Sequence, residues 1–282
     1  MSDIAIDAPP AGPLTEAVDR VSALYSYLEF RIGLPDEDAW WRVADLADAG
    51  LLAGWLDEVE AHFGERRVAG SYMSNWLLRV LAGLWAVPVL AAERLPLSGL
   101  DDVAVRRNPG GWFDGAALGR EAAGALPGDP ALACPDTVAF TGRAALLDAL
   151  VERLSGLEPV ILALREACPV GLNALWGIVA DSVANQALEI ARLTGRDQEA
   201  AWRDVEAIID RLAALQPRLR ARPRAFPVSV GPVIHLFEVR GTCCLYYRTV
   251  ENPDRDGEGY CETCPLRTDE SRPPRLRALL DG

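Results

Sequence analysis

The sequence predicts a mainly α chain of the α+β class. It has a helical body, a small β or irregular insertion within that body, and a cysteine-bearing segment at the C-terminal end. Three observations carry this prediction. Apolar residues recur at helical spacing through most of residues 14–215. Between about 95 and 142 that rhythm gives way to Gly, Pro and Asp around short apolar pieces. Beyond Pro217 the character changes again, and four of the six cysteines fall between residues 243 and 264.

The elements follow in order. Residues 1–12 are acidic and proline-rich and read as a flexible tail, with no basic and apolar leader. Leu14, Val18, Val21, Leu24, Tyr25 and Leu28 form one helical stripe. A short helix is expected after Pro35-Asp36, with acids in its first turn, and another over 51–63, ending near Gly64. The 70–86 stretch is apolar almost all round, as in a helix packed on several sides. Arg79 interrupts its apolar run, which is then too short to span a bilayer, so no membrane span is predicted.

In the insertion, Val103–Val105 and Thr137–Phe140 read as hairpin-like pieces. Helices return at 143–154 and 158–167. Leu172, Leu175, Trp176, Val179, Val183, Ala187 and Ile190 then line one face, ended by Thr194-Gly195. Asp197 is placed to cap a helix carrying Trp202, Val205, Ile208, Ile209, Leu212 and Leu215, and Pro217 ends it. The chain thus divides into a tail (1–12), a helical body (13–217) and a C-terminal segment (218–282).

The balance of 50% hydrophobic and 24% charged residues is that of a globular protein, not a disordered one. A net charge of −13, with no recognisable reader motif, speaks against a nucleic-acid partner. The charge is uneven: residues 1–210 hold 16 Arg against 32 acids, whereas 211–282 hold 12 Arg against 9. In RLRARPRAFPVSVGP (218–232), Arg218, Arg220, Arg222 and Arg224 alternate, giving either a solvated linker or a basic wall beside the cysteines. VIHLFEV then reads as a strand running into Arg240-Gly241. The predicted location is cytoplasmic, where thiols stay reduced, so clustered cysteines point to metal or redox chemistry.

Cys243 and Cys244 are adjacent, and sixteen residues separate them from the Cys261-Glu-Thr-Cys264 clip. Neighbouring side chains of an extended strand face opposite ways, so the backbone must bend for both to serve one site; Gly241 permits such a turn. Amides of the clip can turn inward to sulfur, and Pro265 stiffens its exit. A structural zinc, a redox dithiol and an iron–sulfur cluster are the chemistries open to four thiolates. The adjacent pair departs from the usual zinc knuckle and is surplus to a dithiol.

Gly-Thr-Cys-Cys-Leu-Tyr-Tyr-Arg (241–248), followed by Gly-x-Gly-Tyr-Cys-x-x-Cys-Pro-Leu (257–266), resembles the C-terminal signature of the FhuF-like ferric siderophore reductases. Less specifically, SYMSNWLLRVLAGLWAVPVL (71–90) and GLNALWGIVADSVANQAL (171–188) are similar to that family's helical body. The spacer between the thiol pairs is longer than the family's, the extra length falling in ENPDRDGEG. The resemblance implies a [2Fe–2S] cluster on Cys243, Cys244, Cys261 and Cys264, which makes 218–282 an iron–sulfur cluster segment. It also implies one-electron reduction of ferric siderophores in the cytoplasm. Reduction loosens the chelate because ferrous ion is held more weakly by anionic oxygens than ferric ion.

A four-thiolate cluster is anionic, so Arg240, Arg248 and Arg267 would raise its potential if close, and could dock an anionic chelate or an acidic donor. Tyr246, Tyr247 and Trp112, the last beside Arg106 and Arg107, are further candidates for substrate contact. The sequence has no Gly-rich nucleotide fingerprint, so electrons are expected from an external donor such as a ferredoxin. Cys134, Cys168, His62 and His235 are read as structural. A zinc-stabilised binding protein and an electron-transfer module for another oxidoreductase are the alternative readings.

Overall fold

A computed structural model describes residues 12–24, 28–249, 252 and 259–280. The tail reading for 1–11, the helical reading for 25–27 and most of ENPDRDGEG lie outside the described residues. The chain is about 53% helical with 16% strand, a mixed α+β fold.

The body is built on α2 (Ala49–Phe63), α3 (Arg66–Ala92), α4 (Arg143–Ser155), α5 (Glu158–Ala167), α6 (Leu172–Thr194) and α7 (Gln198–Leu215), with α1 (Thr15–Leu24) ahead of them. Local chemistry sets several ends. The Asp48 and Asp197 carboxylates accept the first free amides of α2 and α7, and Gly64 (φ 74°) and Gly195 (φ 68°) close α2 and α6 in the left-handed region. α3 and α6 pack together at the centre, where Leu77, Leu81, Trp85, Trp176, Val179 and Val183 are all buried. One continuous apolar core runs from Leu14 to Leu219.

The structure corrects the sequence reading in four places. α3 extends beyond 70–86 to 27 residues and continues through Pro88; the proline falls near the helix end, and Glu93 (φ 58°) stops the helix instead. At that length it is apolar enough to cross a membrane, yet 78% of its most apolar window is buried inside the protein. No helix follows Pro35-Asp36. That stretch leads into β2 (Trp40–Arg42) and a 3-10 turn, while β1 (Glu29–Ile32) precedes it.

The hairpin-like pieces expected in 95–142 are present, but strands of that region pair with strands outside it as well as with each other. The region holds β4 (Val103–Arg107) and β5 (Phe113–Leu118), which pair with the earlier strands in a sheet ordered β1-β5-β4-β2, parallel between β1 and β5. A second sheet joins β3 (Arg94–Pro96), β6 (Ala123–Ala125) and β7 (Thr137–Ala139). Finally, the presumed linker is half strand: β8 (Arg224–Val230) forms an antiparallel hairpin with β9 (Val233–Val239), turned at Gly231 (φ 57°). A small core of Val228, Phe237 and Leu276 seats α8 (Arg272–Ala278) on that hairpin.

Candidate metal centre

β9 carries the chain from the hairpin to the first thiol pair, and α6 fixes where it arrives. Asp181, on α6 and 3% exposed, accepts the Gly241 N–H at 2.7 Å, the Thr242 N–H at 3.0 Å and the Thr242 hydroxyl. Arg240 faces the same carboxylate at 3.5 Å and also donates to Asn75 of α3. A Cβ on Gly241 would lie 2.6 Å from the Arg222 backbone nitrogen, so glycine is required there by close approach, not by a turn. Just past the first pair, Leu245 lies in the left-handed region at φ 63°. Its N–H donates to Cys243 Sγ, 3.4 Å away.

Two arginines hold the second pair. Arg272, 1% exposed, donates to the carbonyls of Glu262, Cys264 and Arg267 and pairs with Asp269. Arg267, 3% exposed, donates to the carbonyls of Tyr260 and Cys261. With those carbonyls drawn outward, backbone amides are left to face sulfur: Leu266 donates to Cys264, as Tyr246 does to Cys244. A main-chain bond from Arg240 N–H to the Thr263 carbonyl, 2.9 Å, ties the two arms together.

All four thiols are unbonded and drawn together. Cys243 and Cys264 lie with sulfurs 3.7 Å apart, well beyond a disulfide's ~2.05 Å. Cys244 and Cys261 form a second hydrogen-bonded pair, and Cys261 also meets Cys264. The three close sulfur pairs span 3.7–4.4 Å. Among the described residues, however, no three His, Cys, Asp or Glu side chains converge as a single-metal site. The hydrogen bond from Cys264 lowers the Cys243 pKa, with the Leu245 amide helping. Contact with Cys261 and burial push Cys244 far up. Cys244 draws Cys261 down, but Cys264 and burial outweigh it and leave that thiol at about 11.

The other sequence-predicted residues divide by exposure. The buried Arg267 and the largely buried Arg240 brace the loops from inside; burial opposes the Arg240 charge, but Asp181 and the thiols Cys244 and Cys261 hold it firmly protonated. Arg248 is exposed and pairs with Glu65 at 2.7 Å. Tyr246 and Tyr247 are half-buried in a 3-10 turn beside the thiols, Tyr247 edge-on to Tyr260. Trp112 is 44% exposed on the β4–β5 loop, and its ring lies 5.9 Å from Trp76 of α3. His235 sits opposite Val228 in the hairpin, and His62 meets Phe63 edge-on in α2. Cys168 is buried, which raises its thiol to about 11, and Cys134 is half-buried after a 3-10 turn.

Sequence reasoning missed Asp181, Arg272 and Glu238. Asp181 is the lone acid in the apolar stretch of α6 from Leu172 to Ala187, which is the signal that could have found it. Glu238, 4% exposed on β9, accepts from Asn185, and burial lifts its carboxyl to about 7. No family model matches this chain, and no curated protein matches it.

The residues fit a thiolate-bound metal group by one geometric test. Two sulfurs about 2.3 Å from one metal, at a tetrahedral angle, stand roughly 3.8 Å apart, close to the Cys243–Cys264 separation. Amides from Leu245, Tyr246 and Leu266 supply the N–H···S bonds that stabilise bound thiolates.

Proposed function

We propose that this protein is a ferric siderophore reductase that delivers one electron through a [2Fe–2S] cluster held by Cys243, Cys244, Cys261 and Cys264. The observation that carries the reading is a run of four close thiols, from Cys243 to Cys264 to Cys261 to Cys244. Four thiolates can supply two to each iron of a dinuclear cluster. The motif resemblance favours that cluster over a mononuclear zinc.

When bound, such a cluster supplies a reversible one-electron carrier. This chain's own residues do the rest. Asp181 and Arg272 hold the two thiol arms in place, the three amides donate to sulfur, and Arg240 sets a buried positive charge beside Cys244 and Cys261. The electron comes from an external low-potential donor such as a ferredoxin, and ferrous ion leaves its weakened oxygen ligands.

Anaerobic purification tests this. The expected protein is red-brown, bleaches with dithionite, contains iron and sulfide in equal amounts, and is reoxidised by ferric siderophores. A colourless zinc protein would establish the binding-protein alternative. A red protein that no ferric siderophore reoxidises would be an electron-transfer module for another partner.

A further inference from the structure

Two cavities border the thiols. One, of about 270 Å³, meets Cys243 and mixes apolar walls (Pro169, Val170, Ile178) with Arg67, Ser71 and Thr242; Asn173 on its edge is occupied accepting the Arg220 and Ala221 amides. The other, of about 280 Å³, meets Cys244. Tyr72 and Trp76 of α3 give it aromatic surfaces; its polar lining pairs two arginines, Arg79 and Arg240, with two acids, Asp181 and Glu238, beside Asn75 and Asn185.

We propose that the Cys244 cavity is the acceptor site, where one bidentate oxygen-donor arm of a ferric chelate enters; the proposal rests on the reductase reading. Three features argue for it. The volume falls just below the usual range of ligand pockets, roughly 300–1,000 Å³, and so suits one flat arm with the iron held at the mouth. The arm's two faces need apolar cover and its anionic oxygens need N–H donors. Trp76 and Tyr72 stand edge to face at 5.3 Å. The Asn185 amide uses one hydrogen on Glu238 and the Asn75 amide one on the Ser71 carbonyl, so each retains a second.

The third feature is direction. Of the four thiols, Cys244 is the one that lines this cavity, so the route from sulfur to a seated chelate is short. The step transfers one electron to ferric ion, which becomes ferrous, and the external one-electron donor replaces it. No bond to the protein forms or breaks. The arm's oxygens then hold the iron more weakly.

Gallium(III) has the charge of ferric ion and accepts no electron, which separates binding from reduction. The purified holoprotein is titrated calorimetrically with the gallium complexes of a trihydroxamate, a tris-catecholate and citrate. At least one binds, and Asn185→Asp and Asn185→Leu each weaken it tenfold or more, while the visible spectrum and dithionite bleaching stay as in wild type. Arg203→Gln, in the separate cavity between α6 and α7, binds like wild type. Equal affinity in both Asn185 variants overturns the assignment. So does absence of binding by all three complexes in a protein that ferric chelates still reoxidise, and in both cases the reductase reading survives. A colourless zinc protein overturns that reading, and the acceptor role with it.

Discussion

Asp181 and Thr242 meet twice: one carboxylate oxygen takes both the Thr242 amide, at 3.0 Å, and the Thr242 hydroxyl. With Gly241 on the other oxygen, one buried carboxylate holds the three-residue approach to the first thiol pair onto α6. Asp181→Asn removes an acceptor and takes from the buried Arg240 its foremost countercharge, so stability should fall by about 3 kcal/mol. Urea unfolding checks this; a loss below about 1 kcal/mol would mean the loop is held elsewhere.

The Cys261–Cys264 turn depends in the same way on Arg272. Arg272→Met strips partners from three carbonyls and should cost about 3 kcal/mol. Arg224→Gln, in the half-exposed Arg224–Asp269 pair, should cost less than about 1 kcal/mol. Similar losses for the two would contradict the stapling role.

Glu238 gives the fold a pH signature. Its carboxyl titrates at about 7 when folded against an ordinary 4.5. Between those values the folded chain keeps a proton that the unfolded chain has released. Its contribution is therefore full below about pH 4.5, falls as pH rises to about 7, and stays lost above. The change is on the order of 3 kcal/mol. Glu238→Gln should flatten that slope and exceed wild type in stability at pH 8, read from unfolding midpoints across pH.

Gly177 and Gly241 both lie against residue 221. A Cβ on Gly177 would stand 2.4 Å from Thr242 Cγ2 and 3.0 Å from Ala221 Cβ, whereas one on Gly241 would strike backbone atoms of Ala221 and Arg222. Each alanine variant should lose about 1–3 kcal/mol. Thr242→Ser removes the methyl and keeps the hydroxyl, so it should recover part of the loss in Gly177→Ala, Ala221 still crowding the new Cβ, and leave Gly241→Ala unrelieved.

Cys261→Ser should abolish or strongly perturb bound iron, while Cys168→Ala leaves the iron content unchanged. Iron and sulfide assays on both variants decide the ligand set.

What could be read from the chain beforehand follows from how local each signal is. The caps at Asp197 and Gly64 and the apolar faces of α6 and α7 are written in adjacent residues, and those helices fall where expected. β1 and β2 are four and three residues long and exist through partners more than sixty residues away, so no local pattern announces them. The alternating arginines of 218–224 suggested solvent; Arg224 proves to begin a strand whose partner is β9. Within the site, the four cysteines were legible as a set. Asp181 and Arg272 were not, because each acts through contacts that only the fold creates.

Asn252 closes the account of the spacer. Its side-chain amide donates to the Gly259 carbonyl and reaches the Tyr246 carbonyl at 3.5 Å, clasping the two ends of the connection between the thiol pairs. Distance along the chain is thereby uncoupled from distance in space, and lengthening such a loop twofold costs only about 0.6 kcal/mol. A motif search that fixes the residue count between the pairs would therefore overlook chains built this way.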